Sequence, residues 1–81
     1  IIEWPARIPK PIATSIPAGT VDIFPTIMDY AGVKHSAAGP LDGISLRPLI
    51  EGKMKSRPTP LCFGLRDLDG KLQAEAIIDN D

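Results

Sequence analysis

The chain has 81 residues, a net charge of -1 at pH 7 and a single cysteine, and a chain this short hides only roughly 60% of its unfolded surface on folding. Apolar residues at 43% and charged residues at 23% place it with globular rather than disordered chains. Scattered basic residues and few aromatics exclude the interleaved basic stripe of a nucleic-acid binder, no apolar run approaches the ~20 residues of a membrane span, and the lone Cys62 excludes an internal disulfide or a cysteine-rich zinc site.

Nine prolines, about twice the usual frequency, rule out long helices and central strands over much of the chain, because each lacks an amide donor and disfavours helix at the residue before it. Ile1-Ile2-Glu3-Trp4 reads as the end of a strand that Pro5 stops. Residues 6–17, with Pro9, Pro11 and Pro17 among small side chains, read as an extended surface connection. From Thr20 the apolar residues Ile23, Phe24, Ile27, Met28 and Ala31 recur at the three- and four-residue steps of one helix face. Thr20 or Asp22 can cap its start, Pro25 falls in its first turn, and Gly32 is placed to end it.

Residues 33–40 form a loop of small residues around His35. A second short helix is predicted after Ser45, capped by the Ser45 hydroxyl, with Pro48 in its first turn and Leu46, Leu49 and Ile50 on one face; Gly52 ends it. Residues 53–60 are a basic, proline-bearing connector. Residues 61–65 have the composition of a strand, Asp67-Leu68-Asp69-Gly70 of a turn, and residues 72–78 of a returning strand; Asp79-Asn80-Asp81 reads as the beginning of another turn. The predicted fold class is α/β, more closely an α+β excerpt, with two short helices and three or four short strands. Apparent strand segments at both ends predict a piece of a longer protein.

Few residues are placed for chemistry. His35 has no acidic or cysteine neighbour at metal-ligand spacing and reads as a solvated loop histidine. Asp67-Leu68-Asp69-Gly70 begins like a calcium loop, but Lys71 falls where an oxygen ligand is needed, so a turn is the better reading. Trp4 reads as packing at the end of its strand.

Two blocks carry a family resemblance. Asp22-Ile23-Phe24-Pro25-Thr26, leading into Tyr30-Ala31-Gly32, precedes Leu41-Asp42-Gly43-Ile44-Ser45-Leu46-Arg47-Pro48-Leu49-Ile50-Glu51-Gly52. In this order, after a strand ending in Trp4-Pro5, they resemble the later part of the catalytic domain of sulfatases, members of the alkaline-phosphatase-like superfamily. Arg57, Pro60, Leu61 and Phe63 look like the strand that follows, and Ala76-Ile77-Ile78-Asp79-Asn80-Asp81 resembles the first arm of a further hairpin. The Asp-x-x-Pro-Thr block is shared more widely in the superfamily, whereas the longer Asp-Gly-x-Ser-Leu-x-Pro-Leu-x-x-Gly block is the more specific.

The resemblance implies that residues 1–56 end the large sulfatase α/β domain and that residues 57–81 begin the smaller C-terminal subdomain. It implies a parent that hydrolyses sulfate esters, or less often sulfamates, using formylglycine and a divalent cation, usually calcium. The implied partners are the remainder of the parent chain and, for the parent, a sulfated small molecule or glycan; the family implies a periplasmic or secreted location. None of the family's catalytic, cofactor-binding or metal positions maps onto this chain, which is expected to be an inactive scaffold by itself. Cys62-Phe63-Gly64-Leu65-Arg66 has the spacing of the formylglycine motif Cys-x-Pro-x-Arg, but Gly64 replaces the proline and the stretch follows the helix blocks, so Cys62 reads as a buried strand residue. Asp22 and Asp42 read as a helix cap and a turn residue rather than metal ligands. Two other readings stand beside this one: a metal-dependent phosphatase, phosphodiesterase or phosphotransferase parent of the same superfamily, and an autonomous non-enzymatic interaction module.

Overall fold

A strand needs a neighbour to receive its amides, and among the described residues none pairs with residues 1–4. The computed structural model describes residues 1–35 and 39–80, so residues 36–38 of the expected small-residue loop and Asp81 of the expected final turn lie outside the described residues. Residues 1–4, expected to end a strand, are irregular, and the chain turns at once: the Arg7 and Ile8 amides both donate to the Trp4 carbonyl, at 2.9 and 2.7 Å. Regular structure begins with a 3₁₀ turn at Thr20–Asp22 that runs into helix α1, Ile23–Ala31. Helix α2, Arg47–Ile50, and strands β1, Leu61–Arg66, and β2, Leu72–Ile78, follow. The mixed α and β class is as predicted, but the described residues hold one two-stranded antiparallel sheet instead of three or four strands.

Local chemistry accounts for the helix boundaries. Pro25 sits in the first turn of α1, where its missing amide breaks no helical bond. Gly32 ends the helix at φ 69°, a left-handed conformation open to glycine, while the Val33 amide reaches back to the Met28 carbonyl at 3.0 Å. The Ser45 hydroxyl, expected to cap α2, lies one place ahead of the capping residue Leu46 and accepts the Arg47 amide at 3.2 Å, and Gly52 follows the helix at φ 73°.

Which way α1 faces departs from expectation. Its buried positions are Asp22, just before it, and Thr26, whereas Ile23, Phe24 and Ile27 of the predicted core stripe are 53%, 51% and 60% exposed. The hairpin does not lie over this stripe; α1 packs on the 3₁₀ turn and on α2.

β1 and β2 pair from Leu61 opposite Ile78 to Leu65 opposite Ala74. Residues 68–70 form the three-residue connection, with the Gly70 amide donating to the Asp67 carbonyl at 3.0 Å and Gly70 at φ 80°, the pattern of a tight turn closed by a glycine bulge. Asp67 stabilises this tip through Oδ1, which accepts the Asp69 and Lys71 amides at 3.0 and 2.8 Å. Residues 76–78, which look by resemblance like the first arm of a further hairpin, belong to the second arm of this one. Except at Leu61 both strands are exposed along their length, so Cys62, expected to be buried, is an exposed thiol because none of the described residues covers either sheet face there.

Leu46 and Leu61 are the buried apolar side chains among the described residues, at 5% and 3% exposure. Full burial of a leucine contributes about 1.5–3 kcal/mol, so this core alone is thin and close backbone fit matters. Gly43 provides such a fit: a methyl group there would collide with the Val21 carbonyl, a backbone atom held in the 3₁₀ region. Gly43→Ala should therefore lower stability by on the order of 3 kcal/mol, read as a drop in the urea midpoint with little change in slope. The folded chain should also react rapidly through Cys62 with an aromatic disulfide reagent, at a rate near that of the denatured chain.

Candidate functional site

The most heavily bonded side chains of the chain meet at Asp22. An aspartate carboxylate offers about four acceptor positions, and here each has a donor. Oδ1 accepts the Ile44 amide at 2.9 Å and Arg57 Nη2 at 2.8 Å; Oδ2 accepts the Gly19 amide at 2.8 Å and Arg57 Nη1 at 2.8 Å. The guanidinium is held in turn by the Thr59 carbonyl, which accepts from Nε at 2.6 Å, and by the Pro17 carbonyl at 3.4 Å. Both charged side chains are 0% exposed.

Around this pair, the two helices are joined by side-chain hydroxyls. Thr26 Oγ1 donates to the Asp22 carbonyl at 2.6 Å and accepts the Leu46 amide at 2.8 Å. Ser45 Oγ donates to Asp29 Oδ2 at 2.6 Å. Arg47 bridges Asp29 and Glu51 and lies over the Tyr30 ring, 5.1 Å from its centre. Hydrogen bonds and charge exchanged between Arg47 and Glu51 raise the Arg47 pKa and lower that of Glu51, but the pair is partly exposed and screened by water and salt. Among the described residues, no buried side-chain nitrogen or oxygen lacks a partner.

Burial pushes the Asp22 carboxyl up, but the Arg57 hydrogen bonds, the Ile44 and Gly19 amides and the Arg57 charge together outweigh it, so its pKa lies below the ordinary value of 3.8. A carboxylate with every acceptor position filled, sealed from water, neither takes a substrate proton nor ligates an ion. Its task is to join residues 19, 44 and 57. Asp22 was read as a helix cap, yet it makes no side-chain bond to the α1 amides; Asp42, read as a turn residue, is exposed in a bend.

The other candidates stay apart. Cys62 sits opposite Ile77, while Arg66 turns to the Gly70 carbonyl at 3.0 Å. His35 is exposed, with its ring edge-to-face with Phe24 at 5.9 Å. Trp4 packs edge-to-face on Tyr30 at 4.9 Å, though not at the end of a strand. No group of three or more His, Cys, Asp or Glu among the described residues is placed to hold a metal ion. A groove of about 570 Å³, lined chiefly by Trp4, Ile23, Ile27, Tyr30, Leu46 and Ile50, runs beside α1 and presents almost no polar group.

Sequence reasoning missed the burial of Arg57, which falls in the basic connector of residues 53–60 yet is 3% exposed. It also missed Thr26 and Asp29 as partners of the second block. The available signal was the four-residue step from Asp22 to Thr26, which places both on one side of the helix.

No family model, curated protein or solved structure matches the chain.

Because Asp22 has a folded pKa below its unfolded one, its contribution to stability is fully present above the ordinary value of 3.8 and is lost as pH falls through the lower folded value. Asp22→Asn should remove this acid-dependent component from a stability-against-pH profile. At neutral pH it should cost about 3–5 kcal/mol, since it leaves the Arg57 charge buried without its partner, whereas the double variant Asp22→Asn with Arg57→Met should recover part of that loss. Equal losses in the single and double variants would contradict the assignment.

Proposed function

We propose that the chain is a scaffold segment of a sulfatase, a sulfuric ester hydrolase whose reaction is carried by residues of the parent protein outside this chain. The observation that supports this reading is that the two sequence blocks bearing the resemblance bond directly to each other. Asp22 and Thr26 of the first block receive the Ile44 and Leu46 amides of the second, and Arg57, from the segment that resembles the following strand, closes on Asp22. The resemblance thus falls on residues that form one physical unit.

The residues present do not fit the formylglycine or the divalent cation that a sulfatase uses. Cys62 has Gly64 where the motif has proline and sits on an exposed hairpin, and the acidic side chains among the described residues are not grouped as ligands. The role of this chain is to hold the second block and the hairpin in place, while the exposed apolar stripe of α1 suits a helix resting on a sheet supplied by the parent.

The parent reading frame should hydrolyse an aryl sulfate in preference to the matching aryl phosphate, and the 81-residue chain alone should hydrolyse neither. A preference for phosphate would move the parent to the metal-dependent phosphatases of the same superfamily. Sulfate turnover by the short chain would refute the scaffold role.

A further inference from the structure

β2 is exposed at every position, so burial does not fix which of its residues face β1. Strands of this kind are prone to slip in register. The turn at residues 68–70 sets one end of the pairing; at the open end, Asn80 lies just past β2 and meets Arg57, just ahead of β1. Its Oδ1 accepts the Arg57 amide at 2.6 Å, and its Nδ2 donates to the Arg57 carbonyl at 3.1 Å.

The side-chain amide thereby stands in for a peptide group, making the double bond that an opposing residue makes in an antiparallel ladder. Pro58 and Pro60 lack the amides that would extend the ladder through this segment. Asparagine suits the position on two counts. It carries a donor and an acceptor in one plane, and its backbone adopts φ 64°, a left-handed conformation that asparagine tolerates better than most side chains.

We propose that Asn80 is a latch that reads the register of the hairpin and transmits it to the buried Asp22–Arg57 pair. A slip of one residue would carry Asn80 about 3.3 Å along the strand and break both bonds. The backbone of Arg57 would then lose the anchor that aims its guanidinium at Asp22. This inference stands independently of the sulfatase reading. The charged groups facing Asn80 are Arg57 and Asp79, whose Oδ1 accepts from Nδ2 at 3.2 Å, with Asp22 behind Arg57.

Hydrogen exchange at the Arg57 Nε–H, followed by NMR in the full chain, tests the latch. Asn80→Gly keeps the left-handed backbone accessible and removes the clamp. It should speed Arg57 Nε–H exchange about tenfold or more and leave the Asp69 and Lys71 turn amides unchanged. Exchange at the native rate would overturn the proposal.

Asn80→Asp provides the second arm and decides the matter if the glycine variant fails to fold. An ionised carboxylate lacks the donor, whereas a protonated one restores both donor and acceptor. The deficit relative to the native chain should therefore be present at neutral pH and narrow as pH falls through about 4. A deficit that does not change with pH would refute the latch.

Discussion

The buried pair of Asp22 and Arg57 is the constraint on which the rest of this structure depends. Taking two charges out of water costs several kcal/mol per ion, repaid only when geometry and additional hydrogen bonds are good. Here the carboxylate is filled by two guanidinium nitrogens and two backbone amides, and the guanidinium reaches two carbonyls besides. The result is specificity of arrangement: other packings of residues 19, 44 and 57 would leave a charge or an amide without its partner. With a core of two buried leucines, such a penalty against alternatives matters more than it would in a larger domain.

That constraint explains the inverted look of α1. Orienting the helix so that Asp22 and Thr26 face inward carries Phe24 and Ile27 outward, because side chains one and two places from Thr26 lie on different parts of the cylinder. Among the described residues, the helical part and the hairpin pack no elements against each other. They are joined where Arg57 enters the hub, where Leu61 lies against Gly19, and where Asn80 grips the Arg57 backbone. A few polar bonds therefore govern how the two parts are placed.

What the sequence made legible was local. Gly32, Gly52 and Gly70 mark the left-handed positions they occupy, a short helix follows Ser45, whose hydroxyl accepts the Arg47 amide, and the turn residues at 67–70 select the hairpin connection. What it hid was non-local. The strand expected at residues 1–4 lacked a neighbour, and Cys62 lacked a covering layer. The helix stripe was read on the premise that apolar residues turn inward, and that premise yields to a buried charge whose partner lies 35 residues away. Asp22 offered a plausible local role as a cap, which concealed the distant one, and nothing in the spacing of Lys53, Lys55 and Arg57 singled out the third.

Asp22, Thr26, Asp29 and Ser45 are residue types that perform catalysis elsewhere, and they stand together here. Each is engaged by another group of the same assembly, and the two at its centre, Asp22 and Thr26, are buried. A catalytic group must keep a lone pair or a proton available to a substrate, and the sealed, fully bonded Asp22 does not. A resemblance carried by such residues speaks to how a piece of chain folds onto its neighbours.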